Sequence, residues 1–196
     1  MNTYLTTPSI IKETSEGLSC CAIQDELFRH REIQCVGEIN QESVYSLVLQ
    51  LRYLQKQDPE QEITMYINSP GGEVSSGLGL YDVMAAISCP IRTVCIGTAA
   101  SMAAVLFAAG DKREILPHAR VMIHDPLISG GIGGSAIAVY SRSQDLMKTR
   151  EVTGKILAKH TGKTLEEIYE KTATDTYFDA DGAVAFRLAD RIIDKI

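Results

Sequence analysis

Ser101 occupies a position where a serine side chain could act as a nucleophile. It follows the apolar segment 91–96, a predicted strand, through the small residues 97–100, and it opens an alanine-rich helix predicted over 101–109. A helix start offers free backbone N–H groups and the positive end of the helix dipole, which stabilise negative charge. The same position suits a serine that only caps the helix, and the surrounding sequence is not the GxSxG motif of α/β-hydrolases.

A serine nucleophile needs a histidine to accept its proton and an acid to orient that histidine. His124 ends the apolar segment 121–123 and precedes Asp125, which places an imidazole at the end of a predicted strand. The other histidines have structural explanations on helices or in a turn, and these are His30, His118 and His160. Asp175 lies in a threonine-rich loop, but composition alone does not select it from the remaining C-terminal aspartates, which are Asp179, Asp181, Asp190 and Asp194.

Length and composition predict a single α/β domain with a sizeable core, since the chain has 196 residues and is 45% hydrophobic. A formal net charge of −6 argues against nucleic-acid and anionic membrane partners. The odd number of cysteines, 5, without a CxxC pair, argues against a disulfide framework and against a metal site. The first residues show no export signal, so we expect a cytoplasmic protein.

The hydrophobic spacing predicts alternating strands and helices. Predicted helices cover 24–31, 41–57, 75–87 and 101–109, a long helix runs to about 160 with Gly162 as its cap, and shorter helices start near 164 and 179. Predicted strands cover 32–36, 62–68, 91–96, 115–116 and 120–123, with turns at 69–72 and 97–100, a loop around 175 and a short final strand. Such strand, turn and helix units imply a largely parallel sheet. Residues 1–20 are weakly patterned and predict an N-terminal arm.

Five motifs, in order along the chain, resemble those of the Clp protease proteolytic subunit (ClpP) family. The resemblance covers about residues 22–196. The motifs are Tyr66-Ile67-Asn68-Ser69-Pro70-Gly71-Gly72, Gly97-Thr98-Ala99-Ala100-Ser101-Met102, Val121-Met122-Ile123-His124, His160-Thr161-Gly162, and Asp175 before Phe178.

The resemblance implies an active site and a role for each of its residues. Ser101 matches the nucleophile, His124 the general base and Asp175 the acid that holds the imidazole. The backbone N–H groups of Gly72 and Met102 match the oxyanion hole. The remaining implied substrate-binding residues are Gly71, Pro126 and Leu127, in segments where an extended substrate pairs as an added strand.

The resemblance also implies a fold and an assembly. The expected fold is crotonase-like, built from repeated ββα units, with a protruding helical handle over about residues 125–160. Two stacked heptameric rings would enclose the active sites, and an AAA+ unfoldase of the ClpX, ClpA or ClpC type would supply unfolded proteins. The chain has no Walker A motif, since 161–164 lacks its glycine loop, so ATP would be used by the partner. No cofactor is expected.

Five positions depart from the family's common residues, and one of them, Ala103 in place of a usual glycine, is expected to be tolerated. Thr64 and Ala86 stand where aromatic residues are common in the pocket that receives the unfoldase loop, which predicts a weaker anchor. Thr174 replaces a common arginine that takes part in contacts between rings. Asp125 replaces a common glutamine, and its carboxylate either approaches His124, which would raise the imidazole pKa, or faces solvent.

These departures suggest a secondary paralogue that docks its unfoldase poorly or works through a second type of ring. Two other classes of function stay open. One is a catalytically silent or partner-dependent ring subunit that assembles with an active paralogue. The other is an acyl-CoA enzyme, since the crotonase-like fold also carries such enzymes, which need no Ser-His-Asp set.

Overall fold

A computed structural model describes residues 8–15, 17–128, 130 and 133–196, and strands alternate with helices through most of this part of the chain. The strands are β1 (Ser9–Thr14), β2 (Gly17–Ala22), β3 (Glu32–Ile39), β4 (Ile63–Gly72), β5 (Ile91–Ala100), β6 (Lys112–Ile115), β7 (Arg120–Ile123), β8 (Thr176–Phe178) and β9 (Arg191–Ile192). The helices are α1 (Ile23–Arg29), α2 (Gln41–Gln57), α3 (Val74–Ala86), α4 (Met102–Ala108), α5 (Ala136–Thr161), α6 (Leu165–Thr172) and α7 (Ala180–Ala185).

The main sheet is mostly parallel. Five strands lie in the order β3-β4-β5-β6-β9, and every adjacent pair in this row is parallel. The first half of β5 pairs with β6, and its last residues pair with β7, which is also parallel to it. Only β8 runs antiparallel, along β7. The α/β architecture that the strand and helix alternation predicts is confirmed.

Helix α4 forms the centre of the core, because all of its residues are buried. It packs against β4 and β5 and against the helices α3 and α5. The approach of α3 is close enough that a Cβ added at Gly77 would lie 2.2 Å from Cγ of Met102. Small residues therefore let α4 sit deep in the domain, and the residue before it, Ser101, is held by the same packing.

Two predicted turns are instead the ends of strands. β4 continues through 69–72 and β5 continues through 97–100. After a shift in register, Gly72 still pairs with Ile39 of β3. Gly71 and Gly72 have φ angles of 92° and 151°, which residues with a side chain rarely adopt. The turn predictions are wrong because pairing with neighbouring strands outweighs the local glycine and proline signals.

Strands form in two segments, one near each end of the chain, where the sequence did not predict them. The predicted N-terminal arm contains the antiparallel hairpin β1–β2, which is largely exposed, while residues 1–7 and 16 lie outside the described residues. The segment 176–178, predicted as a loop, is the strand β8. This three-residue strand carries too little sequence pattern to be recognised without its partner β7.

Helix α5 provides the long helix of the predicted handle segment. Its buried residues, Gly154, Ile156, Leu157 and Thr161, all lie near its C-terminal end, so the rest of the helix extends away from the core. The helix ends at Gly162, whose φ of 67° is the left-handed conformation of a glycine cap. Among the helices in the described ranges, none combines the length and apolar character that a bilayer crossing requires.

Arg31 joins three parts of the fold through its buried guanidinium group. Its side chain donates hydrogen bonds of 2.9–3.1 Å to backbone oxygens of the α2–β4 connection and the end of α2, and these belong to Leu54, Asp58, Gln61 and Glu62. It is only 5% exposed. The guanidinium group therefore supplies a charged donor to carbonyl oxygens at and just after the end of α2.

Replacement of Arg31 by alanine is expected to lower the free energy of unfolding by roughly 3 kcal/mol, because four buried or partly buried carbonyl oxygens lose a charged donor. Urea denaturation at a fixed protomer concentration measures this change. Arg52→Ala, at an exposed position on α2, is the matched control and should change stability by no more than about 0.5 kcal/mol. Equal effects of the two substitutions would contradict the role assigned to Arg31.

Candidate active site

Ser101 lies between the last residue of β5 and the first residue of α4 in a strained backbone conformation. Its φ and ψ angles are 55° and −123°, which is uncommon for a residue with a side chain. The conformation is held by hydrogen bonds on both sides. Its N–H donates to the carbonyl oxygen of Met122 at 2.8 Å, and its carbonyl oxygen accepts from the N–H of Ala104 at 3.0 Å. This sharp corner directs the serine side chain into a cleft.

His124 follows β7 and reaches Ser101 through the pairing of two strands. Met122 of β7 is the partner of Ala100 of β5, so the residues that follow these strands are neighbours. Nε2 of His124 lies 2.7 Å from Oγ of Ser101. The imidazole is therefore within hydrogen-bond distance of the hydroxyl proton, and it can accept that proton.

Asp175 reaches His124 from the opposite side of the imidazole. Thr176, the first residue of β8, pairs with Ile123 of β7, which brings the preceding residue beside the histidine. Oδ1 of Asp175 lies 3.4 Å from Nδ1 of His124, longer than the roughly 2.7–2.9 Å of a strong charge-assisted hydrogen bond. The aspartate side chain is 59% exposed, whereas the histidine side chain is 14% exposed. The acid is thus the most loosely held member of the group.

Gly71, Gly72 and Met102 lie beside Ser101 and shape the space where a substrate carbonyl would sit. A Cβ added at Gly71 would lie 2.7 Å from Cβ of Ser101 and 3.0 Å from the backbone nitrogen of Met102. Met102 is the first residue of α4, where N–H groups have no partner inside the helix. The N–H of Gly71 donates to Oγ of Ser69 at 3.1 Å, which leaves Gly72 as the better second donor of the pair.

A cleft of about 710 Å³ opens over these groups. Its lining includes Ser101 and His124, with Gly72 on one side and Pro126, Leu127 and Ile128 on the other. Leu127 is 63% exposed, so it is available to a bound chain. The predicted glycine-rich binding segment beyond Pro126 includes Gly131, which lies outside the described residues. The cleft is open enough for an extended peptide.

The carboxylate of Asp125 takes neither of the two orientations expected from the sequence. Its Oδ2 accepts a hydrogen bond from Nε of Arg150 at 2.5 Å, and its Oδ1 accepts one from the hydroxyl of Thr172 at 2.6 Å. Packing of α5 and α6 against the end of β7 supplies both partners, so the side chain turns toward the helices instead of toward His124 or solvent. Sequence reasoning missed Arg150 and Thr172 because neither lies in a distinctive local motif.

Within the described ranges, no three His, Cys, Asp or Glu side chains come together in a way that could hold a metal ion. A hydroxyl in contact with an imidazole, an acid on the far side of that imidazole and nearby N–H donors can together perform nucleophilic acyl transfer.

A sequence model of the family described as Clp protease matches residues 14–196. The chain belongs to the Clp protease family. The match confirms the resemblance drawn from the motifs, and the mostly parallel sheet with its seven helices in the described residues agrees with the ClpP fold. The chain is a proteolytic subunit of the ClpP type, and Clp proteases are in general serine peptidases.

One departure from the common Clp protease residues, Thr64, lies on a charged sheet face beside Tyr66. Thr64 lies directly opposite Arg92 in the β4–β5 register. Glu114, whose side chain is 2% exposed, accepts hydrogen bonds from Nε of Arg92 at 2.6 Å and Nε of Arg191 at 2.8 Å. Burial raises the pKa of Glu114, but the hydrogen bonds from Arg191 and Arg92 outweigh burial and lower it. Charged side chains thus lie beside Tyr66 on this face of the sheet.

Gly71→Ala is expected to slow the reaction of Ser101 with a fluorophosphonate by roughly a hundredfold, because the new methyl group would displace Ser101 and the neighbouring N–H donor. The labelling rate followed by intact mass measures the effect. Gly79→Ala is the matched control, since Gly79 is exposed in α3 with no atom within 4 Å of an added Cβ. Labelling of Gly71→Ala at the control rate would contradict the proposed crowding.

Proposed function

We propose that this chain is the peptidase subunit of a cytoplasmic ATP-dependent protease. It hydrolyses unfolded proteins and peptides as a serine endopeptidase, inside a ring chamber fed by an AAA+ unfoldase of the ClpX, ClpA or ClpC type. The observation that carries the proposal is the 2.7 Å contact between Nε2 of His124 and Oγ of Ser101 at the bottom of an open cleft. Membership of the Clp protease family supports the substrate class.

In the proposed reaction, Ser101 attacks the carbonyl carbon of a peptide bond while Nε2 of His124 takes the hydroxyl proton. Asp175 accepts a hydrogen bond from Nδ1 and stabilises the positive imidazolium. The backbone N–H groups of Gly72 and Met102 stabilise the oxyanion of the tetrahedral intermediate. His124 then gives its proton to the leaving amine, which departs and leaves an acyl group on Ser101. A water molecule then attacks the ester carbonyl carbon while His124 takes its proton. The bond to Oγ of Ser101 breaks, the carboxylic acid product leaves, and His124 returns the proton to the serine.

Substrates would bind mainly through their backbones. Pro70 and Gly72 at the end of β4 line the cleft together with the segment Pro126–Leu127, so an extended chain can lie between them as an added strand. Hydrogen bonds to a backbone are the same for every residue except proline. This mode of binding explains how one site can accept many unfolded sequences.

The proposed assembly is two stacked heptameric rings, made of this chain alone or mixed with a paralogue. ClpP proteins in general form stacked rings with AAA+ partners, and this supports the arrangement. The charged face around Tyr66 supports the mixed alternative, because the side chains of Arg92 and Arg191 place positive charge where a hydrophobic loop would bind. A second ring type would then provide the anchor for the unfoldase.

A partner-dependent subunit is the second candidate function. The 3.4 Å separation of Asp175 from His124 and the exposure of the aspartate favour it, since a small shift of the 173–176 loop would separate the acid from the base. Thr174 in this loop also stands where the family's ring contacts commonly use arginine. In this reading, a second ring type would bring the acid into place.

Hydrolysis of a fluorogenic peptide by the purified chain is expected to depend on Ser101. Ser101→Ala should lower kcat by about a million-fold, because the nucleophile is lost while the fold stays intact. Ser88→Ala, at an exposed position outside the cleft, should behave as the wild type. Native mass is recorded on the same samples. If a single ring does not hydrolyse the peptide, a partner subunit is required. If a complete double ring does not hydrolyse it, catalysis by this chain is contradicted and a scaffold role is favoured.

Unfoldase binding distinguishes a homo-oligomer from a mixed assembly. We expect the homo-oligomer to bind a hydrophobic unfoldase-loop peptide more weakly than an assembly with a paralogue, because of the charged face around Tyr66. Fluorescence anisotropy with a labelled loop peptide measures both affinities. Equal affinity in the two assemblies would refute the idea that this chain is a secondary, poorly docking subunit.

A further inference from the structure

A polar cluster lies directly behind the candidate base and connects it to the segment that carries the candidate acid. Asp125 follows His124 in the chain, and Thr172 lies three positions before Asp175. The backbone N–H of Asp125 donates to the carbonyl oxygen of Thr172 at 2.7 Å. In return, the hydroxyl of Thr172 donates to Oδ1 of Asp125 at 2.6 Å. The two residues are thus joined by two hydrogen bonds, one of which ends on a charged group.

This connection is shielded and anchored on both sides. Thr172 is the last residue of α6 and is 4% exposed, so water has little access to its hydroxyl. The carboxylate of Asp125 also accepts from Nε of Arg150 at 2.5 Å, which comes from α5. The guanidinium group of Arg150 lies 3.6 Å from the ring centroid of Tyr169 in α6. Arg150 therefore fixes the carboxylate against both helices.

The loop that carries Asp175 needs such an anchor. Its far end is held by β8 and by the hydroxyl of Thr176, which donates to the carbonyl oxygen of Lys171 at 2.6 Å. Its near end is held at Thr172 by Asp125. Between these two points Asp175 is mostly exposed, and water competes for its carboxylate. The position of the backbone then decides how often the acid contacts Nδ1 of His124.

We propose that Asp125 and Thr172 are positioning residues that hold the Asp175 loop beside His124. The role rests on the proposed function, in which His124 and Asp175 work as a pair. Asp125 is suited to it because the same short segment carries the base, so one hydrogen-bonded link fixes base and acid relative to each other. Neither positioning residue contacts the reacting atoms.

Thr172→Val tests the link, because it removes the hydroxyl and keeps the shape of the side chain. We expect faster hydrogen–deuterium exchange in residues 173–178, together with a roughly tenfold slower reaction of Ser101 with a fluorophosphonate. For peptide hydrolysis, kcat should fall while KM stays the same, since the acid acts in the chemical step. Thr172→Ser keeps the hydroxyl and should restore both the exchange and the labelling rate.

Thr161→Val is the control for the loss of a buried threonine hydroxyl. Thr161 is 1% exposed and donates to the carbonyl oxygen of Leu157 within α5, away from the cleft. This variant should lose stability without a change in labelling rate per folded protomer. Native mass shows whether each variant forms the same assembly as the wild type.

Unchanged exchange in 173–178 for Thr172→Val would overturn the proposal, whatever the activity. So would a Thr172→Ser variant that behaves like Thr172→Val, because the hydroxyl would then be irrelevant. The proposed function fails separately, if the wild-type assembly is not labelled at Ser101. Hydrogen exchange still decides in that case whether Asp125 and Thr172 hold the loop.

Discussion

The pairing of β7 with β5 on one side and with β8 on the other is the constraint on which the candidate site depends. Ser101 follows β5, His124 follows β7 and Asp175 precedes β8. Because β5 and β7 are parallel, their carboxyl ends meet at one edge. Because β8 is antiparallel to β7, its amino end arrives at the same edge. Three side chains that are far apart in the chain thus converge through the pairing of these strands.

Close packing behind this edge imposes the second constraint. Gly71 lies so near Ser101 that no side chain fits between them, and Gly77 makes a similar approach to Met102. The alanine-rich α4 fills the space between sheet and helices without pushing Ser101 out of place. Glycine and alanine in these motifs therefore reflect close distances between backbones, and larger residues there would displace Ser101 or Met102.

The sequence predicted those candidate site residues that directly follow a strand with a clear hydrophobic pattern. Ser101 and His124 follow apolar strands that hydrophobic patterning detects, and α2 has the bounds that its spacing predicts. Asp175 could be chosen only by family resemblance, because the short strand β8 beside it exists through its pairing with β7. The same limit hid the strand character of 69–72 and the roles of Arg150 and Thr172. These features depend on contacts between distant segments, which local patterns of residue type do not encode.

The strained backbone conformation of Ser101 also determines when the candidate site can form during synthesis of the chain. A residue held at a φ of 55° adds roughly 1–3 kcal/mol to the energy of the backbone, and its N–H bond to Met122 helps to hold it there. Met122 is made 21 residues after Ser101, so a nascent or partly folded chain lacks this support and also lacks the imidazole. The geometry of the candidate site thus forms only after β7 has paired with β5, and a chain that ends before β7 lacks it.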